Sequence, residues 1–458
     1  MLIYVLFFLI LIMLVGYYLK GNRDIFSPEV LFLISYTVSI GSALVNVKKW
    51  GIVMHPITFL VVFIGTIEFV VICYIVNRYF KKKYNVNIGQ SEKYSSNEIH
   101  VKAWKCILTY LGCVMCSVLL FRTVLGIAAN NGGYSTLPQA FQTFKDALGE
   151  MKATVPGIVM QMERIAMICA YVFTFIFINN VFVKDDNKVR AVIRNIHLLI
   201  PAVLYNINGV INSDRLQIIQ YVISVIVMTF ILWCYNTGKS FVSIKTIIIL
   251  IVCAVAGLLV FYFSIGLLGR ITDKNLIEYI TLYCGCSIED LNQFLQYPPE
   301  SSNIFGKETF YNFNYKLYNM GLLKLDDGFY SIHLEQRYYN DIFIGNVYTS
   351  YRRWIYDFGF GGAFILQGIM ALFMSVFYNL VKYRKANSCC LIIYCYLAYT
   401  AVFHAYDGYL YIQYVSFTFL VSLVLFILAY LFFIKYNYSV KEWRKIIQDF
   451  VNKKVKKS

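Results

Sequence analysis

Eleven stretches of apolar residues punctuate this chain: Leu2–Leu19, Val30–Val47, Pro56–Asn77, Trp104–Ala128, Ile165–Val183, Ala191–Gly209, Leu216–Tyr235, Ile244–Leu268, Phe358–Val381, Cys389–Tyr406 and Tyr409–Ile434. A helix needs ~20 mostly apolar residues to cross the hydrocarbon of a bilayer. Each stretch approaches or exceeds that length. The chain is 59% hydrophobic and only 14% charged, against ~25% charged for a soluble protein. A single water-soluble core cannot hide that much apolar material in 458 residues. A soluble enzyme, a disordered chain and a fibrous chain are therefore excluded. The expected fold is all-α: a polytopic integral membrane protein of about 11 transmembrane helices. The first stretch has no basic n-region and no cleavage pattern, so it reads as a retained span rather than a signal peptide. No internal repeat is visible, which disfavours the inverted-repeat transporters.

Charge sets the expected sidedness. The formal net charge is +16, and in a membrane protein such an excess marks cytoplasmic loops rather than a nucleic-acid site. With the C-terminus inside, 26 of the 41 Lys and Arg fall on inner segments, Lys81-Lys82-Lys83 among them. The expectation is therefore N-terminus outside and C-terminus cytoplasmic. The chain then divides into four parts. Residues 1–269 form eight spans with short loops, and 270–350 a large external loop, partly helical. Residues 351–434 form three more spans, and 435–458 a basic tail. In the tail Trp443, Ile446, Ile447, Phe450, Val451 and Val455 recur at helical spacing among lysines, the pattern of an amphipathic helix on an anionic leaflet.

The usual chemical signatures are missing. Most of the 12 Cys lie inside apolar stretches as small hydrophobes. Cys284 and Cys286 form a lone C-x-C, weak as a metal or disulfide signal. The five His form no metal-binding pattern, and no D-x-D suggests a nucleotide-sugar transferase. Gly238-Lys239-Ser240 resembles the end of a phosphate loop, but Trp233 stands where its first Gly belongs. No metal and no cofactor are expected.

The external loop stands apart. It holds ten Tyr, six Phe and ten acids against six bases. Aromatic rings with polar handles suit a ligand such as a sugar, although self-packing explains part of them. A second external segment, Ala129 to Thr154, carries the Gly132-Gly133 turn and a short helical pattern. Arginines cluster at the expected outer boundary: Arg122, Glu163-Arg164, Arg215, Arg270 and Arg352-Arg353. Ionisable groups at that depth commonly face a polar cavity, and guanidinium grips phosphate through paired hydrogen bonds. Together they fit a lipid diphosphate head group. Singly, each also fits an interfacial anchor or a pair with a neighbouring acid, Arg215 with Asp214 and Arg164 with Glu163.

The stretch Gly345-Asn346-Val347-Tyr348-Thr349, continuing to Asp357-Phe358-Gly359 and Gly362, resembles the N-x-Y-T…D-F-G-x-x-G stretch of bacterial oligosaccharide repeat-unit polymerases, the Wzy-type O-antigen and capsule polymerases. Tyr283-x-Gly285-x-Ser287 and Ser213-Asp214-Arg215 are similar to that family too. O-antigen ligases carry a His-Asn pair where Tyr348-Thr349 stands here, which favours polymerase over ligase. The resemblance implies a metal-independent glycosyltransferase at the outer face of the bacterial plasma membrane. It would move a growing glycan from undecaprenyl diphosphate to a lipid-linked repeat unit, alongside a flippase and a chain-length regulator.

On that reading Arg215 and Arg270 stabilise the leaving diphosphate. Arg164, Arg352, His333, Tyr348 and Asn346 hold substrate. Asp357, with His333 and Glu335 behind it, takes or orients the acceptor proton; the alternative for Asp357 is a cap on the ninth helix. Gly359 and Gly362 are expected to permit close helix packing. The competing readings are a flippase for lipid-linked oligosaccharide, a ligase-like transferase, and a non-catalytic assembly subunit.

Overall fold

The computed structural model describes residues 1–20, 24–84, 98–150, 152–183, 188–238, 274–300, 302–324 and 334–436, with single positions between 243 and 266. Arg270, His333, the eighth expected span and the basic tail from 437 lie outside the described residues, wholly or for the most part.

Helices dominate: α1 Leu2–Lys20, α2 Pro28–Val45, α3 Pro56–Tyr84, α4 Ala103–Asn130, α5 Leu137–Gly149, α6 Gly157–Val183, α7 Lys188–Asn195, α8 Ile200–Ile211 and α9 Arg215–Thr237 come first. The long loop supplies α10 Leu276–Gln296, α11 Tyr311–Asn319 and a hairpin of β1 Arg337–Tyr339 with β2 Ile342–Gly345. Then follow α12 Ser350–Lys382, α13 Ser388–Val402, α14 Tyr409–Tyr414 and α15 Phe417–Tyr430, the last continued by a π turn over Leu431–Lys435. Among the described residues eight helices are long and apolar enough to cross a membrane: α1, α2, α3, α4, α6, α9, α12 and α15 with its π turn.

Local chemistry sets the ends. Asp214 accepts from the backbone N–H of Leu216 and Gln217 to start α9, and Gly238 closes it in the left-handed region. Asn275 caps α10 through Glu278 N, and Asn387 caps α13 through Cys390 N. Pro28 starts α2 at its first turn, where a missing N–H costs nothing.

Two expected spans are shorter than their sequences suggest. The stretch Ala191–Gly209 breaks into α7, a 3-10 turn over Ile196–Leu199, and α8. Pro201 has no N–H to return to His197 and crowds its carbonyl, so a continuous helix fails there. The stretch Cys389–Tyr406 gives α13, 15 residues long, ~22 Å against a ~30 Å hydrocarbon core. Its side chains are almost all buried, so it fills the bundle centre rather than facing lipid.

The α12 segment is two helices joined at Gly359, whose backbone (φ 65°, ψ −174°) is open to glycine and strained for other residues. Tyr351 and Gln367 both touch Gly65 of α3. A straight helix would hold those two residues ~24 Å apart. The chain therefore doubles back: Ser350–Phe358 is a re-entrant arm lying beside the helix that follows it. Ser350, Tyr351, Arg352, Arg353 and Trp354 are all buried. The bottom of the arm is pinned by Ser350, whose N–H and hydroxyl both donate to the His404 carbonyl at 3.0 Å.

Candidate functional site

The re-entrant arm carries two consecutive buried arginines that point to different partners. Arg352 Nη1 donates to Glu308 Oε2 at 2.7 Å, and its Nη2 to Glu335 Oε2 at 2.8 Å. Its guanidinium lies over the rings of Phe294 (4.2 Å), Tyr356 (4.9 Å) and Tyr348 (5.4 Å). Such a cage of charge and aromatic faces retains a desolvated cation. Arg353 grips Asp407 through Nε at 2.6 Å and Nη2 at 3.0 Å. A planar fork of this kind matches both carboxylate oxygens.

The hairpin closes the cage. Arg337 Nε donates to the Tyr348 hydroxyl at 2.8 Å, which donates onward to the Glu335 carbonyl at 3.0 Å. Arg337 also pairs with Glu335 at 2.9 Å. Beneath, fully buried Asp290 of α10 accepts from Val347 N at 3.3 Å. A Cβ on Gly345 would sit 2.6 Å from Asp290 Oδ2 and 2.8 Å from Cys286 Cβ. Only glycine lets β2 approach α10 this closely.

Two carboxylates share one guanidinium yet are pushed apart. Burial raises the Glu308 carboxyl to about 7, against the pull of Arg352 and Arg353. Burial also acts on Glu335, but the charges and hydrogen bonds of Arg352 and Arg337 overcome it and hold that carboxyl below its ordinary value. One group is thus poised to exchange a proton near neutrality while the other stays ionised. That division is the one acid–base chemistry needs.

Asp357 ends the re-entrant arm. Its oxygens accept from Thr309 N at 2.6 Å and Glu308 N at 3.1 Å. It thereby fastens the 308–309 turn, which presents Glu308, to the arm that presents Arg352. Its partners lie on that turn and not on the first backbone groups of its own helix.

A second grouping lies toward the other end of α10. Arg215 is buried at the start of α9 and donates from Nη1 to the Tyr279 hydroxyl at 2.9 Å. Its guanidinium stands 5.9 Å from both the Tyr279 and Tyr283 rings. Asp214 caps α9. Nearby, Glu163 accepts from Asn212 Nδ2 at 2.6 Å, while Arg164 donates to Gln161 at 2.7 Å. Tyr279 and Phe294 mark the two groupings on one helix, fifteen positions apart, or ~22 Å.

The expected site residues thus fall into sets. Tyr348, Arg352, Glu335 and Asp357 come together, with half-buried Asn346 on the same turn. Arg215 stands with Tyr279 and Tyr283 away from that cage, and Arg164 meets Gln161 of its own helix. Arg270 and His333 lie outside the described residues. Glu308, Arg337 and Asp407 were missed as site residues, and Arg353 was named only as one of the boundary arginines. The acids were invisible because each sits in a different sequence neighbourhood from the arginine it meets; the consecutive Arg352-Arg353 was the one local signal. Compared with family models, curated proteins and solved structures, the chain matches none of them.

Proposed function

We propose that this membrane-embedded protein joins lipid-linked oligosaccharide repeat units at the outer face of a bacterial plasma membrane, transferring a growing glycan from undecaprenyl diphosphate to a new lipid-linked unit. The observation that carries the reading is the coincidence of sequence and geometry at 345–362. The polymerase-like stretch is the one that folds into the re-entrant arm and supplies Tyr348 and Arg352 to the cage. Arg215, with Arg164 and Arg270, is assigned to the departing diphosphate, where fixed positive charge stabilises a developing anion. The cage ~20 Å away along α10 is assigned to the saccharide, with Tyr348, Tyr356 and Phe294 as stacking faces and Asn346 as a polar contact. Glu308 and Glu335 there hydrogen-bond saccharide hydroxyls; at that distance from the departing diphosphate neither takes the acceptor's proton. Asp357 acts through Glu308 as a positioning residue.

The test is purified protein in proteoliposomes with undecaprenyl-diphosphate-linked repeat units. The expected product is a ladder of chain lengths, abolished by Arg215→Ala while the protein remains folded. Translocation without bond formation would instead establish a flippase. That second reading draws on ionisable groups set between helices: Glu68, Glu29 and the Asp24–Lys382 pair.

A further inference from the structure

Glu68 lies ~18 Å along α3 from Pro56, in one of the eight helices long enough to cross a membrane. It occupies the seam with α12. A Cβ on Gly368 of α12 would stand 3.1 Å from Glu68 Oε1. Its other oxygen is buried without a hydrogen-bond partner, and no cation among the described residues pairs with it. An ionised carboxylate in that position is costly, and ionisable groups set there are ordinarily functional.

A buried polar chain begins beside it. The Tyr351 hydroxyl, near enough for the Glu68 charge to act on it, fills the space a side chain on Gly65 would take. Tyr36 of α2 follows, its hydroxyl 3.0 Å from His404 Nδ1. His404 Nε2 lies 2.7 Å from Gln367 Oε1, and Gln367 Nε2 donates to the Gly65 carbonyl at 3.1 Å. Trp354 Nε1 is buried here with no hydrogen-bond partner, and the Tyr351 and Thr349 hydroxyls, buried too, have only the Tyr36 hydroxyl within reach, short of good hydrogen-bond geometry. Thr349, Tyr351 and Trp354 are each essentially unexposed. Several such polar atoms at one place are ordinarily satisfied by internal water. Tyr351 and Trp354 belong to the re-entrant arm, and Thr349 is the residue just before it.

We propose that Glu68 and this chain form a hydrated proton-binding site within the membrane, and that its occupancy sets the position of the re-entrant arm. With the proton bound, Glu68 is a neutral acid able to donate toward Tyr351. With the proton released, the carboxylate draws the Tyr351 hydroxyl and water toward itself. The titratable group next to Glu68 is Tyr351 from α12, and behind it stand Tyr36 from α2 and His404 from the turn after α13. Arg352 and Arg353 turn away to Glu308, Glu335 and Asp407. The proposal does not depend on the glycan-polymerase reading.

The experiment uses full-length protein in nanodiscs, with Trp354 as the sole tryptophan and Trp50, Trp104, Trp233 and Trp443 replaced by Phe. Trp354 touches His404 with ring centroids 5.3 Å apart. Its emission is followed against pH, together with the infrared carbonyl band of protonated carboxylic acids. The expected result is one titration seen by both probes, with Glu68→Gln holding the low-pH emission at every pH. Tyr351→Phe is expected to leave the infrared titration and uncouple the emission from it. An emission titration that survives in Glu68→Gln assigns the effect to His404 and overturns the proposal. So does an effect set by sodium at constant pH. Should Glu68→Gln not fold, native protein is treated with dicyclohexylcarbodiimide, across which a protonated carboxylic acid adds, its proton passing to nitrogen and its oxygen to carbon. Labelling of Glu68 that falls as pH rises supports the site; no labelling at any pH overturns it.

Discussion

The Arg353–Asp407 pair offers the sharpest physical test of the re-entrant arm. Arg353 is 3% exposed and Asp407 17%, and two hydrogen bonds of 2.6 and 3.0 Å join them. Truncating Asp407 to Ala leaves a desolvated guanidinium without its main counter-charge. Removing one partner of a buried pair costs about 3–5 kcal/mol, whereas replacing both by apolar groups of similar volume is often neutral. Glu308 also acts on Arg353, which places the expected cost near the lower figure. The expected order of stability is therefore wild type and Arg353→Met/Asp407→Leu together at the top, with Asp407→Ala and Arg353→Met alone well below. Denaturation of the detergent-solubilised protein, followed by Trp354 fluorescence, measures all four corners of the cycle. With each single change costing about 3 kcal/mol and the double change near zero, the coupling energy is expected to be about 6 kcal/mol. A value near zero would mean that water reaches Arg353 and that the arm is not pinned as described.

Three further outcomes follow from the same geometry. Gly345→Ala forces a methyl against Asp290 and Cys286; it is expected to cost about 1–3 kcal/mol and to increase proteolysis of the β1–β2 hairpin. Burial raises the Glu289 carboxyl from 4.5 to about 7, with Gln293 and Asn292 partly opposing. A raised acid holds its proton longer when folded, so its contribution is full below about 4.5 and lost as pH rises through about 7. Melting temperatures of wild type and Glu289→Gln should therefore diverge across that window, with the variant showing the flatter profile. Tyr348→Phe removes the acceptor for Arg337 Nε; a loss of about 1–3 kcal/mol is expected, read as faster amide exchange at 335–339.

Helix positions were largely legible because apolar length is a direct demand of a bilayer, and α1, α3, α4, α6 and α9 overlap their sequence stretches closely. Breaks were harder to see. Pro201 was visible as a breaker, yet the hydropathy of Ala191–Gly209 masked it. Gly359 was read as a packing glycine because a reversal and a straight helix share the same composition; only the neighbours of Tyr351 and Gln367 separate them. Of the cage, Tyr348, Arg352 and Glu335 were accessible from local pattern. Their junction with Glu308 and Asp407 depends on contacts tens of residues apart, which no local spacing encodes.

The reversal at Gly359 has a consequence for biogenesis. Glu308 and Glu335 precede Arg352 in synthesis, but Asp407 and the His404 carbonyl follow it by some fifty positions. A nascent chain that has just inserted the helix after Gly359 holds one arginine matched and the next still waiting. The arm therefore cannot lock until the last stretches have been delivered. Chains truncated ahead of residue 407 should expose it to quality-control proteases, even though most of their helices are already seated.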